Sequence, residues 1–157
     1  MLGYVSMNSN YRIAQLSDLD SIYELAFENL KVGYPNMDEM DLMMKVWESR
    51  FRKESLEHYL KLGWSFVGYD SQTQKLTGFF LGQPLLFFQG QTQTLWVECL
   101  VAKDQSVENQ LLEITYKLAR DKHFQRVVFD QNLNDKLIKQ NQRVQQHDPL
   151  IWIKTTK

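Results

Sequence analysis

Residues 95–129 constrain the fold more than any other stretch. They open as an apolar strand, Leu95-Trp96-Val97-Glu98-Cys99-Leu100-Val101-Ala102. A polar turn follows, Lys103-Asp104-Gln105-Ser106, then a helix predicted over Val107–Lys122, then a second apolar run, Arg126-Val127-Val128-Phe129. Strand, crossover helix and strand form a βαβ unit, so the two strands should lie parallel with a right-handed connection. Ligands in such units sit at the carboxyl ends of strands and against helix N-termini. The turn Lys103–Ser106 is therefore the first place to look for function.

Around this unit the chain supplies further elements. Tyr11–Gln15 alternates as a strand. A helix should start near Ser17, with Ser17 as its cap and Asp18 and Asp20 at the positive end of the dipole. Leu19, Ile22, Tyr23, Ala26 and Leu30 share one of its faces, and residues 31–36 form a loop. A longer helical region runs from Asp38 to Leu62, with a break near Lys53–Ser55 and a stop at Gly63. Met40, Met43, Met44, Trp47 and Phe51 recur in it at helical spacing. They read as core filling, with a pliable substrate wall as the alternative. Trp64–Tyr69, Leu76–Phe88 and Thr94–Ala102 should form an antiparallel meander, with a bend, bulge or edge at Pro84. A last helix carrying Leu133, Leu137, Ile138 and Val144, and a closing strand Leu150–Lys154, complete the chain.

A length of 157 residues and a hydrophobic fraction of 43% describe a folded domain with an ample core. One domain is expected over 1–157, with residues 1–10 as a flexible N-terminus. The net charge of −1 offers no overall field for nucleic acid. It conceals an asymmetry: residues 1–116 carry a net −6 and residues 117–157 a net +5. This reads as solvated helix faces, or as a basic face for an anionic ligand. A lone Cys99 excludes an intramolecular disulfide and makes a reducing compartment the default. The first ten residues lack a basic region followed by an apolar run, and no segment reaches about 18 apolar residues. The expected location is the cytoplasm, with no membrane contact. Met7 is an alternative start.

The order β, α, α, β, β, β, α, β, α, β, opened by Tyr11-Arg12-Ile13-Ala14-Gln15-Leu16-Ser17-Asp18-Leu19-Asp20, resembles the GNAT family of acyl-CoA N-acyltransferases. Leu76-Thr77-Gly78-Phe79-Phe80-Leu81-Gly82 is similar to that family's third strand. Leu111-Leu112 and Leu118–Phe124 are similar to its central helix. The resemblance covers the whole chain. It implies an α/β (α+β) fold with a mixed central sheet, an antiparallel meander joined to a βαβ unit, and helices on both faces. It also implies acetyl-CoA as cofactor, no metal, and a small-molecule or protein amine as acceptor.

In that family the turn after the fourth strand holds the cofactor pyrophosphate through Q/R-x-x-G-x-G/A. Gln105-Ser106-Val107-Glu108-Asn109-Gln110 lies on the pattern, but Glu108 and Gln110 stand where small residues belong. Gly90 is the last glycine in the chain, so no register restores them. Glu108 puts its own negative charge where a phosphate would bind, and two anions there repel. The resemblance assigns main-chain groups of Leu100, Val101 and Ala102 to the pantetheine. It assigns those of Gln105, Ser106, Val107 and Glu108 to the pyrophosphate, with Lys103 as counter-charge. The other reading of the turn is an ordinary helix start capped by Asp104 or Ser106.

The family often uses a Glu on the fourth strand as base. Glu98 is the one acidic residue in that apolar run, where burial can tune a carboxyl toward neutrality; otherwise it points out of the sheet or pairs with a cation. The family's last-helix Tyr is absent: its place holds Asn141 or Lys139, and 132–147 contains no Tyr. Tyr116 reads as core. Cys99 should face away from Glu98 and be an inert buried thiol. His58, His123 and His147 have no metal-ligand spacing. The aromatics Trp64, Phe79, Phe80, Phe87, Phe88 and Trp96 read as sheet core, since their strands carry few cations. Two readings result. One is an acyl-CoA-dependent N-acetyltransferase with an atypical cofactor loop. The other is an inactive binding or interaction module of the same fold, dimerising through its C-terminal strand. The turn's local chemistry leans to the second, although the family at large is catalytic.

Overall fold

The computed structural model describes residues 9–88 and 90–129. The strands are β1 (Ser9–Ile13), β2 (Phe66–Asp70), β3 (Leu76–Phe88), β4 (Gln91–Ala102) and β5 (Arg126–Phe129). The helices are α1 (Leu19–Gly33), α2 (Glu39–Glu48), α3 (Lys53–Leu62) and α4 (Gln105–Asp121), with a single 3-10 turn at Leu16–Asp18. The five strands form one sheet in sequence order. β1 through β4 pair antiparallel, and β4 pairs with β5 in parallel through Thr94↔Arg126 to Val97↔Phe129. The expected meander and βαβ unit are both present. The predicted last helix and closing strand lie outside the described residues.

Strand periodicity divides the core into two layers. Phe79, Leu81 and Val101 pack against Ile22, Leu25 and Ala26 of α1 and Leu56, Tyr59 and Leu60 of α3. Phe80, Leu95 and Val97 pack on the other face against Val107, Leu111 and Ala119 of α4. Gly78 lets α4 approach: a Cβ there would lie 2.7 Å from Val107 Cγ1 and 2.8 Å from the Val101 carbonyl oxygen. The start of the helix is thus pressed onto β3.

Several local expectations change. Ser17 is not the cap of α1. Asp18 takes two hydrogen bonds from the Arg12 guanidinium, at 2.7 and 2.9 Å, and one from the Gln15 N–H at 2.8 Å. These bonds fix a 3-10 turn ahead of the helix. α1 extends through Gly33, three residues into the predicted loop. The break between α2 and α3 falls at residues 49–52, earlier than expected. The β3–β4 ladder irregularity occurs at Leu81/Gly82, and Pro84 takes the edge alternative. Pro84 lies beyond the last β2–β3 pair, Phe66↔Phe80, on a stretch bonded to β4 alone among the described residues.

The Met stripe is the largest correction. Leu42 and Val46 are the buried side of α2, while Met40, Met43, Met44 and Trp47 are 73%, 53%, 51% and 63% exposed. Two apolar stripes compete on this helix, and the branched pair wins the core. Tyr116 and Phe87 also face outward, whereas Phe79 and Phe80 are fully buried.

Candidate functional site

β4 carries the site because of an irregularity. Leu81 pairs with Cys99 and Gly82 with Val97, so Glu98 is an extra residue in the strand. Such a bulge leaves its residue outside the ladder and shifts the side-chain alternation beyond it. The packing shows the shift. Val97 faces α4, while Cys99 and Val101 face α1 and α3. The expected opposition of Glu98 and Cys99 is therefore wrong, because the bulge turns both toward the α1/α3 layer.

Both strands support the bulge. The Gly82 N–H donates to the hydroxyl of the buried Ser65 at 3.1 Å. A Cβ on Gly82 would lie 2.6 Å from the Trp64 carbonyl oxygen, so only glycine fits without displacing backbone. On β4, the Arg50 guanidinium donates to the Glu98 carbonyl. Arg50 reaches there from the connection between α2 and α3.

Among the described residues, the Glu98 carboxylate has two direct donors. Trp96 Nε1 donates to Oε2 at 2.7 Å and the Tyr59 hydroxyl to the same oxygen at 3.1 Å. Arg50 Nε stands 4.0 Å from the other oxygen, Oε1. The side chain is 24% exposed, so this carboxylate is held by donors at an accessible place rather than sealed in an apolar one. Burial first, then the adjacent Glu98 charge and hydrogen bond, raise the Tyr59 hydroxyl well above its ordinary range, so it stays a donor. Burial likewise pushes the Cys99 thiol up to about 12.

Sequence reasoning reached Glu98 but missed its partners. Trp96 was accessible in principle, since residues two apart share a strand face. Arg50 and Tyr59 carry no local sign of the contact, because they lie 48 and 39 positions from Glu98.

The turn after β4 is shorter than expected. α4 begins at Gln105, so Lys103 and Asp104 alone separate it from Ala102. The Lys103 N–H bonds to the Thr77 carbonyl at 2.9 Å. Asp104 is the N-cap: its Oδ1 accepts from the Val107 N–H at 2.9 Å, and its carbonyl accepts from the Glu108 N–H at 3.1 Å. Lys103, Gln105 and Ser106 are exposed, Glu108 is half-buried, and the Val107 side chain is core. Leu100 and Ala102 lean on the α4 layer and Val101 is buried on the opposite face. Glu98 lies four residues before Ala102, roughly 13 Å of strand.

This arrangement tests the expected cofactor in two places. Beyond Val97↔Phe129, β4 pairs only with β3 among the described residues, so the main chain of residues 98–102 has an edge that fits an extended pantetheine. The helix N-terminus fits a pyrophosphate poorly, because Asp104 already holds the Val107 and Glu108 amides. Of the first four residues of α4, only Gln105 and Ser106 have amides without a partner among the described residues.

A family model of proteins of unknown function, DUF1999, matches residues 9–154. The chain belongs to that family. No curated protein matches this DUF1999 chain by sequence. Its fold is found in solved structures. The PaiA N-acetyltransferase of Thermoplasma acidophilum, solved with coenzyme A, is 17% identical with a TM-score of 0.69, over 90% of this chain and 94% of that one. An aminoglycoside N-acetyltransferase, AAC(6')-Iy, solved with CoA, is 12% identical with a TM-score of 0.65, over 99% and 100%. A protein from Thermus thermophilus is 18% identical with a TM-score of 0.64, over 94% and 99%. At these identities the likeness establishes the acyltransferase fold, a mixed α/β sheet with helices on both faces. Among the described residues, no group of three His, Cys, Asp or Glu side chains is placed to hold a metal ion. None of the described helices is long and apolar enough to cross a membrane.

Proposed function

We propose that this DUF1999 protein is an acyl-CoA-dependent N-acyltransferase, transferring an acetyl-type group to an amine of a small molecule or a protein. The observation that carries the reading is the bulge at Glu98. It turns a carboxylate out of the ladder, fixes Oε2 with Tyr59 and Trp96, and leaves Oε1 without a donor inside 3.5 Å among the contacts described. A carboxylate pinned through one oxygen keeps a lone-pair face of defined direction on the other, which a general base needs.

Bound acyl-CoA would supply the activated acyl carbon. The main chain of Leu100, Val101 and Ala102 would hold its pantetheine. The amides of Gln105 and Ser106, with Lys103 as counter-charge, would meet its pyrophosphate. Glu98 takes the proton that the amine loses as the C–N bond forms and the thiolate departs. Tyr59 and Trp96 keep the carboxylate oriented.

A second reading has its own support. Asp104 caps α4 with a carboxylate where an incoming pyrophosphate would bind, which suits a domain of this fold that binds a partner rather than acyl-CoA. One titration separates the two. Acetyl-CoA binding in the micromolar range by the native chain, with acetyl transfer to a panel of amines lost in Glu98→Gln, supports the enzyme. Absence of native binding, with binding gained in Asp104→Asn/Glu108→Gly, supports a lost cofactor site.

A further inference from the structure

The outward face of α2 is unlike the rest of the described surface. Met40, Met43, Met44 and Trp47 recur at i, i+3, i+4 and i+7, and each is more than half exposed. That spacing places all four within about 100° of one another around the helix. The helix already packs into the fold through Leu42 and Val46, and this second stripe faces outward from the described residues. A contiguous apolar patch rimmed by polar groups marks an interaction surface. Methionine suits such a surface, because its unbranched, polarizable side chain moulds to its partner.

The rim decides what the partner is. Helical geometry puts Glu39 along one side of the stripe and Asp41 and Glu48 along the other. Residues 19–48, spanning α1 and α2, contain seven acidic and two basic side chains. The two cations are not spread evenly over this surface: Lys45 Nζ lies 4.7 Å from the Tyr34 ring centroid, and Lys31 lies in the last turn of α1. A groove of about 290 Å³ adjoins the stripe, lined by Tyr23, Glu24, Phe27, Glu28, Glu39 and Met43. Apolar floor and acidic wall thus recur beside α2. An acidic rim repels nucleic acid and anionic lipid surfaces alike. A four-residue stripe over two turns is also longer than a single small cation can cover. It matches one face of another helix.

We infer that the outer face of α2 is a docking surface for a basic amphipathic helix of a partner polypeptide. The partner's apolar stripe lies on Met40, Met43, Met44 and Trp47, and its Lys or Arg residues meet Glu39, Asp41, Glu48, Glu24 and Glu28. The surface acts independently of acyl-CoA and of Glu98.

The experiment uses the full chain and three synthetic 18-residue helical peptides. One has Leu at helical spacing with Lys elsewhere; one replaces its Leu with Gln; one replaces its Lys with Glu. Titration in low salt should give micromolar binding for the Lys/Leu peptide, at least tenfold weaker binding for the other two, and further weakening in high salt. Met44→Gln/Trp47→Gln, which changes only exposed side chains, should weaken the Lys/Leu peptide at least tenfold while leaving the far-ultraviolet spectrum and thermal midpoint unchanged. Glu39→Gln/Glu48→Gln should weaken it with the stripe intact. Equal binding to the native chain and the Met44/Trp47 variant overturns the inference, as does equal binding of the Lys/Leu and Lys/Gln peptides. Sedimentation adds one outcome. A native dimer that dissociates in Met44→Gln/Trp47→Gln would make a second copy the occupant and overturn the separate partner.

Discussion

The Tyr59 hydroxyl donates to Glu98 Oε2 at 3.1 Å, tying α3 to the bulge in β4 across 39 positions of sequence. Tyr59 is only 8% exposed, so its ring is packed and its hydroxyl is the one part with a directed task. Tyr59→Phe keeps the ring and deletes that bond. The expected loss is about 1.5–3 kcal/mol of unfolding free energy, the net worth of one hydrogen bond to a charged group, read from urea melts. Trp96 remains on the same oxygen, so the carboxylate should stay in place. A loss above about 3 kcal/mol would show that the ring had moved as well, contrary to this packing.

Cys99 offers a check on the bulge itself. Facing the α1/α3 layer, its thiol is pushed up to about 12 by burial. At pH 8 the native thiolate fraction is then about one part in ten thousand, and the thiolate is the reactive form. Native protein should react with a disulfide reagent orders of magnitude more slowly than protein unfolded in urea. Equal rates would place the thiol at an open surface and undo the assigned phase of β4.

The scaffold was legible in the sequence and the site only in part, for one physical reason. The βαβ order, the meander and the parallel β4–β5 pair follow from local periodicity, which a single chain displays. β5 falls on Arg126–Phe129 as read. The bulge does not follow, because one extra residue in a ladder is a relation between two strands. Everything that depends on it was misread or unseen: the side of Cys99, the Trp96 and Tyr59 bonds, the reach of Arg50. α2 failed differently. Its sequence holds two apolar stripes, and the buried one is Leu42 and Val46 rather than the methionines, a choice that helical spacing alone does not make. The cap of α4 was legible, since Asp104 is one of the two residues the turn offers for it, but the helix starts two residues earlier than its periodicity implies.

Asp18 ties acid stability to one ion pair. The Arg12 hydrogen bonds, with the Gln15 N–H assisting, outweigh burial and hold its carboxyl below the usual carboxylate range. A carboxyl depressed in the folded state stabilises the fold above its unfolded pKa of about 3.9 and loses that contribution as pH falls through the lower folded value. Asp18→Asn should therefore be less stable than the native chain at pH 7, and the gap should close as pH drops from about 5 toward 2. A gap that stays constant over that range would mean that the asparagine disturbs packing rather than removing a charge.

Gly78 governs how closely α4 sits on the sheet. A methyl group there would meet Val107 Cγ1 at 2.7 Å, the Val101 carbonyl oxygen at 2.8 Å and Leu111 Cδ1 at 2.9 Å. The side chains can rotate, but the carbonyl belongs to backbone that the β3–β4 ladder holds in place, and it cannot. Gly78→Ala should cost about 1–3 kcal/mol as overpacking, measured by thermal or urea unfolding. A neutral result would show that α4 lifts from β3 without penalty.

Asp104 distinguishes two ways of starting a helix. Its Oδ1 takes the Val107 N–H at 2.9 Å, and its charge also favours the positive end of α4. Asp104→Ala removes both and should cost about 1 kcal/mol, in the usual range for losing an N-cap. Asp104→Asn removes the charge but keeps an oxygen acceptor, so most of that stability should return. If Asn is as damaging as Ala, and the loss shrinks in high salt, the charge rather than the hydrogen bond holds the helix start. That outcome would also mean that the N-terminus attracts an anion strongly enough for a phosphate to compete with Asp104. The Ala/Asn comparison thus bears on stability and on the cofactor question through a single atom pair.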